Sequence, residues 1–468
     1  MSPKLTDILL IQCPPWDIDM PPLGVCYLDG YLNKYSHAAS ILDLNIMLYN
    51  KAGSDLKYLW EQKSYDWWVD SALFETTWLK LKDITFSCIN EALRCFNTSN
   101  IGLSVNFAGI KLASEVIKYI HSVGEGKKII VGGWACQNGH MRGLFPKGLV
   151  DVFVVGEGEE TLADVLQSFD GCMEKSQVRG AIFDKEPDYI YRQREPIIDL
   201  DSIPWPTFAG LDLTMYKNRG LPLFTSRGCI GNCSFCNDHS SSKPYRFRSA
   251  QSIFDEIKYH VINNHAVDFS FKDLLCNGNI EQLGRLCDLI INSGLDIKWD
   301  SQAVAREEMT YDFLRKLKKA GCNTLIYGVE SFSDNVLRKM KKIFTAKTAE
   351  DVIMDTCAAG IYAYVNIIVG FPGETEDDFV QTCRALERIS VSSFVRVGAI
   401  SVCLINFGSE LNTRYEDYGL ILPDDTTIRA KEWASSDGSN TYEIRNERAR
   451  RILGLVEKLG LTYATTTI

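Results

Sequence analysis

The sequence predicts an α/β protein, with an N-terminal, doubly wound, Rossmann-like parallel sheet followed by a partial (β/α)6 barrel of the TIM type. Two series of alternating strand-like and helix-like segments predict the two sheets. A third observation locates the chemistry, because three cysteines lie between positions 229 and 236, directly after the first strand of the second series. A chain of 468 residues is long enough for two or three domains.

The first series occupies residues 1–175. Apolar runs predict its buried strands, at 7–13, 38–44, 100–106, 127–133 and 150–161. Helix-like segments separate them, at 23–35, 110–122 and from about 161. Sheets of this kind bind ligands at the carboxyl ends of their strands. Residues 50–98 interrupt the series with four tryptophans, which favour a buried helical insertion over the alternative of a lid on a ligand.

The second series occupies residues 221–405 and follows a predicted linker at 176–220, which contains Pro204 and Pro206. Its strands are predicted at 221–226, 267–273, 296–302, 324–331, 363–370 and 395–403. Its clearest helices are predicted at 249–264, 280–293, 347–359 and 375–389. Six units are two short of a closed eightfold barrel, and chemistry is expected at the carboxyl ends of the strands. Residues 406–468 predict a cap over the barrel mouth, with simple closure of the barrel as the alternative.

Composition narrows the class of partner. The 50 basic and 60 acidic side chains give a formal net charge of −10, which argues against a nucleic-acid partner and favours a small molecule or a peptide. No apolar run approaches the ~20 residues that cross a bilayer, and the first residues lack a signal pattern, so we expect no membrane partner and a cytoplasmic location. Fifteen dispersed cysteines do not resemble a secreted disulfide framework.

Cys229, Cys233 and Cys236 have the spacing CxxxCxxC. Thiolates are soft ligands that suit iron–sulfur clusters or zinc. Three thiolates on a cubane cluster leave its fourth iron open to a substrate or cofactor, whereas electron-carrying clusters usually have four cysteines. The alternative is a structural zinc site that His239 would complete.

The segment "CIGNCSFC" resembles the cluster motif of radical S-adenosylmethionine (SAM) enzymes. Two later segments are similar to the fourth-strand and fifth-strand signatures of that superfamily, "YGVESFSDNVLRKMKK" at 327–342 and "NIIVGFPGETEDDF" at 366–379. Three ordered motifs are far more specific than one, and the resemblance covers about 220–405. It implies a [4Fe-4S] cluster bound by the three cysteines, with SAM chelated by the open iron and cleaved to a 5′-deoxyadenosyl radical.

The resemblance also implies a set of SAM contacts. Phe235 would lie near the adenine, and Glu330 would accept a hydrogen bond from the ribose or the amino group. Arg306 would pair with the SAM carboxylate, and Gly370 would also contact SAM. Arg306 and Glu330 could equally form a structural ion pair. The electron would come from an external low-potential donor of the flavodoxin or ferredoxin type.

The first domain resembles the cobalamin-binding domain that precedes the barrel in one large radical SAM subfamily. The segments that carry this resemblance are "PPLG", "ILDL", "IGLSVN", "IIVGG" and "DVFVVGEGEETL". It implies that the dimethylbenzimidazole tail lies beside Gly132 and Gly133. The implied corrin contacts are Leu23, Gly24, Ser104, Gly156, Glu157 and Gly158. Many cobalamin proteins supply a histidine after the first strand, but the loop 13–24 contains none, so we expect cobalamin without a histidine lower ligand.

These resemblances together imply a cobalamin-dependent methyltransferase, which moves a methyl group from SAM through methylcobalamin to an unactivated carbon. Another radical reaction with the same cofactors, such as a cyclisation, rearrangement or oxidation, is the first alternative. An RNA methylthiotransferase would need further cluster cysteines in the first domain, where none forms a tight motif. A non-catalytic cobalamin sensor is the remaining alternative. The sequence assigns no catalytic acid or base.

Overall fold

The computed structural model describes residues 3–124, 126–186, 188–238, 243–423 and 429–467. The chain divides into two compact units, Met1–Pro222 and Leu223–Ile468. Among the described residues, no helix combines the length and the apolar composition that crossing a membrane requires.

The strands of the first unit are short and mostly buried. In chain order they are β1 (Lys4–Leu5), β2 (Ile8–Gln12), β3 (Ala39–Asp43), β4 (Phe96–Asn97), β5 (Asn100–Ser104), β6 (Lys128–Gly132), β7 (Val152–Val154) and β8 (Ala181–Phe183). Six of them form a sheet in the order β3-β2-β5-β6-β7-β8, parallel throughout except for the antiparallel edge strand β8. β1 pairs with β4 separately. The predicted parallel sheet is confirmed.

Helices connect these strands. They are α1 (Leu23–Lys34), α2 (Leu44–Lys51), α3 (Asp66–Val69), α4 (Ser71–Cys95), α5 (Ile110–Val123), α6 (Gly139–Arg142) and α7 (Glu159–Phe169). The strand predicted over 150–161 is shorter in the structure, because the backbone leaves the extended conformation at Gly156, which has φ 87°.

The helical insertion is built around buried aromatic rings. Trp68 is 1% exposed, its indole N–H donates to the Leu59 carbonyl (2.7 Å), and its ring meets Trp60 edge-on with centroids 5.7 Å apart. Trp78 is also buried, on α4. The rings of Trp60, Trp68 and Trp78 are therefore held by contacts within the first unit, and the assignment of residues 50–98 as an insertion stays a prediction.

Residues 176–220 do not behave as a free linker. They supply strand β8 to the first sheet, because the run at 181–183 is apolar and lies beside β7. Near the end of this segment, the hydroxyl of the buried Tyr216 donates a hydrogen bond to the carboxylate of Asp43 at the end of β3 (2.7 Å). The prolines that predicted a linker do coincide with irregular backbone. This backbone is packed against the rest of the first unit.

The second unit contains a seven-stranded sheet. Its strands in chain order are β9 (Leu221–Leu223), β10 (Ser226–Arg227), β11 (Arg246–Phe247), β12 (Asp268–Phe271), β13 (Lys298–Ala303), β14 (Cys322–Glu330), β15 (Tyr362–Val369), β16 (Val395–Val402), β17 (Ile405–Asn406), β18 (Leu420–Ile421), β19 (Arg429–Ala430), β20 (Ala434–Ser435) and β21 (Tyr463–Thr467). The sheet order is β9-β12-β13-β14-β15-β16-β21, and every pair from β12 to β21 is parallel. The six predicted barrel strands are therefore present, and β21 adds a seventh from the segment expected to be a cap.

The remaining helices alternate with these strands. They are α8 (Ala250–Asn264), α9 (Ile280–Ser293), α10 (Tyr311–Lys319), α11 (Asp334–Lys339), α12 (Ala346–Ala358), α13 (Glu376–Ile389), α14 (Glu410–Thr413) and α15 (Tyr442–Lys458). The four helices predicted in the barrel are all present.

Asn45 joins three parts of the first unit. This fully buried side chain accepts hydrogen bonds from the Trp16 backbone N–H (3.0 Å) and the Trp60 indole N–H (2.8 Å), and its amide donates to the Asp17 carbonyl (3.1 Å). The helical insertion and the loop after β2 are thus both anchored to α2. This loop is one of those expected to contact the corrin.

We predict that Asn45→Ala lowers the free energy of unfolding by about 3 kcal/mol, because it leaves buried partners without hydrogen bonds. Chemical denaturation of the full chain, followed by tryptophan fluorescence, measures the change. Asn263→Ala, at an exposed position of α8, is the control and should change stability by less than about 1 kcal/mol. Equal effects of the two substitutions would contradict the anchoring role.

Candidate functional site

The loop that carries the three cysteines is fixed at its start by Asp273. This buried carboxylate follows β12 and accepts hydrogen bonds from the backbone N–H groups of Thr225 (2.7 Å) and Ser226 (3.1 Å), and also from the Thr225 hydroxyl. Burial raises the pKa of Asp273 to about 7, although these hydrogen bonds oppose the shift. The barrel sheet thus determines where the cysteine loop begins.

The sulfurs of Cys229 and Cys233 both lie close to Gly231. A Cβ added at Gly231 would be 3.4 Å from the first sulfur and 3.8 Å from the second. The Gly231 N–H donates to the Cys229 sulfur (3.3 Å), and the Cys236 N–H donates to the Cys233 carbonyl (3.1 Å). All three thiols are partly buried. Burial raises the pKa of Cys229 and of Cys233, and the Lys342 ammonium opposes both shifts.

This donor set suits an iron–sulfur cluster, because it offers partly buried thiols with backbone N–H donors beside them. Among the described residues, no three histidine, cysteine or carboxylate side chains are gathered closely enough to hold a metal ion as they stand. His239, the fourth ligand of the alternative zinc site, lies outside the described residues.

Ser234 fixes the middle of the loop. This fully buried residue lies between Cys233 and Cys236, and its backbone N–H donates to the Met340 carbonyl (3.1 Å). Its hydroxyl donates to the Lys339 carbonyl (3.2 Å), and its own carbonyl accepts from Leu411 (2.9 Å). The turn after α11 and helix α14 therefore support the loop from two sides.

Phe235 and Glu330, both expected to contact SAM, lie around Lys342. The Lys342 Nζ is 5.3 Å from the centroid of the Phe235 ring and 3.6 Å from a Glu330 carboxylate oxygen. Glu330 ends β14 with φ 74°, in a backbone conformation that non-glycine residues rarely adopt. Burial raises the pKa of Glu330, and the ammonium of Lys342 opposes this.

Gly370 takes part in a buried hydrogen-bond network that includes residues of the C-terminal region. Its N–H donates to Glu374 (2.7 Å), and its carbonyl accepts from the Asn440 amide (3.0 Å). Arg448 donates to Glu374 (2.8 Å), in a pair buried on both sides. A Cβ at Gly370 would lie 2.2 Å from the Arg445 side chain, so the tight turn there requires glycine.

Arg306 is engaged within its own unit. Its guanidinium donates to the carbonyls of Asn277 (3.1 Å) and Gly278 (3.3 Å), and it forms an ion pair with Glu308. Arg306 and Glu330 are thus each paired with a different partner and not with each other. A role of Arg306 toward the SAM carboxylate stays a prediction.

The carboxyl edge of the first sheet brings together three residues of the expected cobalamin site, Ser104 for the corrin and Gly132 and Gly133 for the dimethylbenzimidazole tail. Ser104 ends β5 and pairs in register with Gly132 at the end of β6. Gly133 is the next residue after β6. Gly133 has φ 93°, and a Cβ there would be 2.7 Å from the Val105 carbonyl oxygen. A Cβ at Gly132 would meet only Val154, at 3.7 Å. Gly133 is therefore required by the backbone, whereas Gly132 has room for a Cβ in ordinary van der Waals contact with Val154.

The other expected corrin contacts lie on two neighbouring loops. Leu23 and Gly24 begin α1, and Gly158 immediately precedes α7. A Cβ at Gly24 or Gly156 would have no atom within 4 Å. The Glu157 carboxylate accepts a hydrogen bond from the Ile197 N–H (2.8 Å), so this side chain also anchors the segment after β8.

Two histidines of the first unit lie away from this edge. His37 directly precedes β3, and His121 in the last turn of α5 contacts the Leu149 carbonyl before β7. Both are at the amino ends of the strands, because helices return the chain to that edge. The absence of a histidine lower ligand stays a prediction.

Sequence reasoning did not identify Asp273, Ser234, Lys342 or the Asn440 network as parts of the site. Asp273 is the last residue of a predicted strand, and Lys342 is the last residue of a segment that resembles a family signature. The sequence nevertheless indicated no function for either residue. Their partners lie tens of residues away, and no local pattern indicates such contacts.

Comparison with known proteins finds a family match within the second unit. Residues 223–386 match the family model of the Radical SAM superfamily. An uncharacterized methyltransferase of Pyrococcus horikoshii is 24% identical over 315 residues, which are 66% of this chain and 68% of that protein. An anaerobic magnesium-protoporphyrin IX monomethyl ester cyclase of Cereibacter sphaeroides is 25% identical, over 63% of this chain and half of that protein. A cytidylyl-2-hydroxyethylphosphonate methyltransferase of Streptomyces wedmorensis is 22% identical, over 87% of this chain and 80% of that protein.

Two solved structures share the fold across both units. The radical SAM methyltransferase TsrM from Kitasatospora setae, solved with cobalamin and a [4Fe-4S] cluster, has a TM-score of 0.68 at 16% identity, covering 92% of this chain and 82% of that one. The cobalamin-dependent SAM radical enzyme OxsB, solved with aqua-cobalamin and SAM, has a TM-score of 0.70 at 18% identity, covering 97% and 67%.

We predict that Asp273→Asn flattens the pH dependence of stability. Because folding raises the pKa of Asp273 from 3.8 to about 7, the folded chain binds the proton more tightly, and stability falls as the pH rises from about 4 through 7. The linkage relation gives a loss on the order of 4 kcal/mol, which the amide avoids while keeping both backbone hydrogen bonds.

Denaturation of the metal-free full chain between pH 4 and pH 8 measures this dependence. Asp268→Asn, at the exposed first residue of β12, is the matched control and should keep the slope of the parent. If Asp273→Asn also keeps that slope, the buried carboxyl does not titrate as described.

Proposed function

Because this chain contains a radical SAM domain and has the fold of cobalamin-binding radical SAM enzymes, we propose that it is a cobalamin-dependent radical SAM methyltransferase. It moves a methyl group from SAM, by way of cobalamin, to an unactivated carbon of a small molecule or peptide. The observation that carries the proposal is the three-cysteine loop, anchored on the first strand of the radical SAM domain. An external low-potential donor of the flavodoxin or ferredoxin type supplies the electrons.

In this proposal Cys229, Cys233 and Cys236 hold the [4Fe-4S] cluster. The bound cluster supplies the electron that cleaves SAM, and bound cobalamin supplies the methyl carrier. The chain's own contribution is to hold the reactants and exclude water. Phe235 offers an aromatic face to the adenine, and Glu330 and Gly370 are the polar SAM contacts at the ends of β14 and β15.

The carboxyl edge of the first sheet supports the cobalamin assignment. Gly24 in the first turn of α1, Gly132 at the end of β6 and Gly156 after β7 come from three different segments at this edge. A Cβ on Gly24 or Gly156 would meet no atom within 4 Å, and a Cβ on Gly132 would meet only Val154, at 3.7 Å. Side chains are therefore lacking where a large flat cofactor would have to approach the backbone. Ser104 adds a polar group between the central strands.

A different radical reaction with the same cofactors is the second candidate. The similarity to a magnesium-protoporphyrin monomethyl ester cyclase favours a cyclisation or oxidation. Two of the relatives described above are named methyltransferases, and one of them aligns with 87% of this chain, which is why methyl transfer is the leading proposal.

The proposal predicts both 5′-deoxyadenosine and a methylated product. Anaerobically reconstituted protein is incubated with cobalamin, a low-potential reductant and methyl-labelled SAM across a panel of small metabolites and peptides, and the products are identified by mass spectrometry. A substrate-dependent product without added label, together with 5′-deoxyadenosine, would instead indicate the cyclisation or oxidation.

Cysteine variants control this assay. Each of Cys229→Ala, Cys233→Ala and Cys236→Ala should reduce 5′-deoxyadenosine formation at least a hundredfold, since no other thiol of the loop replaces the lost ligand. Cys172→Ala, at an exposed cysteine of the first unit, should retain full activity. Turnover that survives all three loop substitutions would exclude the radical mechanism.

We further predict that Gly132→Ala folds normally but binds cobalamin at least tenfold more weakly, because its new methyl group meets only Val154 within the protein, at 3.7 Å, and projects into the proposed site. Gly133→Ala should lower stability as well, since its Cβ meets the Val105 backbone. Gly210→Ala, at a glycine outside the edge where a Cβ would meet no atom within 4 Å, is the control for Gly132. Equilibrium titration with hydroxocobalamin measures affinity, and unchanged affinity in Gly132→Ala would remove Gly132 from the site.

A further inference from the structure

Lys342 is a cation enclosed beside the cysteine loop. Its side chain is only 10% exposed, and its Nζ donates to the Gly328 carbonyl of β14 (2.7 Å). The same Nζ lies 5.3 Å from the centroid of the Phe235 ring and 5.8 Å from that of Phe344. A buried ammonium is costly unless it is compensated, and one backbone carbonyl and two ring faces compensate it only in part.

The backbone around Lys342 fixes it relative to the loop. The turn after α11 accepts two hydrogen bonds from Ser234, which lies inside the cysteine motif. Lys341, the next residue of this turn, has φ 61°, in the left-handed region that non-glycine residues rarely adopt. This conformation directs the chain at Lys342 away from the helical path. The ammonium and the cysteine loop are therefore parts of one hydrogen-bonded assembly.

Glu330 is the acidic group that faces the ammonium of Lys342. Its closer carboxylate oxygen is 3.6 Å from the Nζ, which is longer than a hydrogen bond. Glu330 is itself buried, and burial favours its neutral form. This salt bridge compensates the ammonium in part, and the ammonium also interacts electrostatically with the thiols of Cys229 and Cys233.

A cluster bound by three thiolates carries net negative charge, and this charge grows when the cluster accepts an electron. A nearby buried cation stabilises the reduced state more than the oxidised state, because Coulomb interactions are weakly screened away from water. From this geometry we propose that Lys342 is a positioning residue whose ammonium sets the reduction potential of the cluster in the cysteine loop. The inference rests on the proposed function, since it requires that the loop hold a cluster.

The test is a redox titration of reconstituted protein without SAM, followed by electron paramagnetic resonance of the reduced cluster. Lys342→Gln should lower the equilibrium constant for reduction of the cluster at least tenfold. For a one-electron couple this is a decrease of 59 mV in the reduction potential. Lys342→Arg keeps the charge and should remain close to the parent. Glu330→Gln removes the opposing carboxylate and should raise the potential, in the direction opposite to Lys342→Gln, and a lowered potential would contradict the electrostatic role of the pair.

Lys347→Gln is the matched control, because it removes the same charge from an exposed position of α12. Iron and sulfide contents are measured for every variant. If the cluster is lost from Lys342→Gln but retained in Lys342→Arg, this result also supports the role of the charge. If the cluster is lost from both variants, Lys342 is needed for packing, and the proposed electrostatic role is overturned.

Equal potentials in the parent and in Lys342→Gln would overturn the inference while leaving the proposed function intact. The same holds if Lys342→Gln changes only the affinity for SAM, since the lysine would then hold the SAM carboxylate. A parent protein that assembles no reducible cluster would overturn the proposed function itself, so the two failures are distinguishable.

Discussion

The second unit depends on one constraint, which is that a loop with no regular structure of its own must hold three thiols in one place. Such a loop cannot satisfy its backbone groups internally, so neighbouring elements must do so. Asp273 binds its first residues and Ser234 bonds its middle to the turn after α11. The loop is thereby fixed at points close to the cysteines, while the thiols themselves stay available as ligands.

The second unit also contains several ionisable groups that are removed from water. Asp273, Glu330 and Glu374 are all buried in the second unit, and burial raises the pKa of each. Each carboxyl has a different compensation: backbone N–H groups for Asp273, the Lys342 ammonium for Glu330 and the Arg448 guanidinium for Glu374. A core built only for stability would place apolar side chains here, because buried ion pairs rarely stabilise more than packed hydrocarbon.

The sequence predicted the sheets well because buried parallel strands are continuous apolar runs separated by amphipathic helices. It missed β21, whose residues Tyr463–Thr467 are mostly threonine and lie far along the chain from their partner β16. The cysteine spacing predicted the ligand set, since such spacing is local. The contact of Asp273 with Thr225 spans 48 positions, and the direction of the Lys342 side chain depends on one left-handed residue, so neither is readable from a pattern.

Glycine motifs show the same division between local and long-range information. In "VGG", the two glycines look equivalent in the sequence, but Gly133 is required by its positive φ and by the Val105 backbone, whereas Gly132 has space for a side chain. A glycine that the backbone requires says nothing about a ligand. A glycine that the backbone does not require, at the ligand-binding edge of a sheet, needs a separate reason. Close approach of a bound cofactor is such a reason, and it makes Gly132 the more informative of the two.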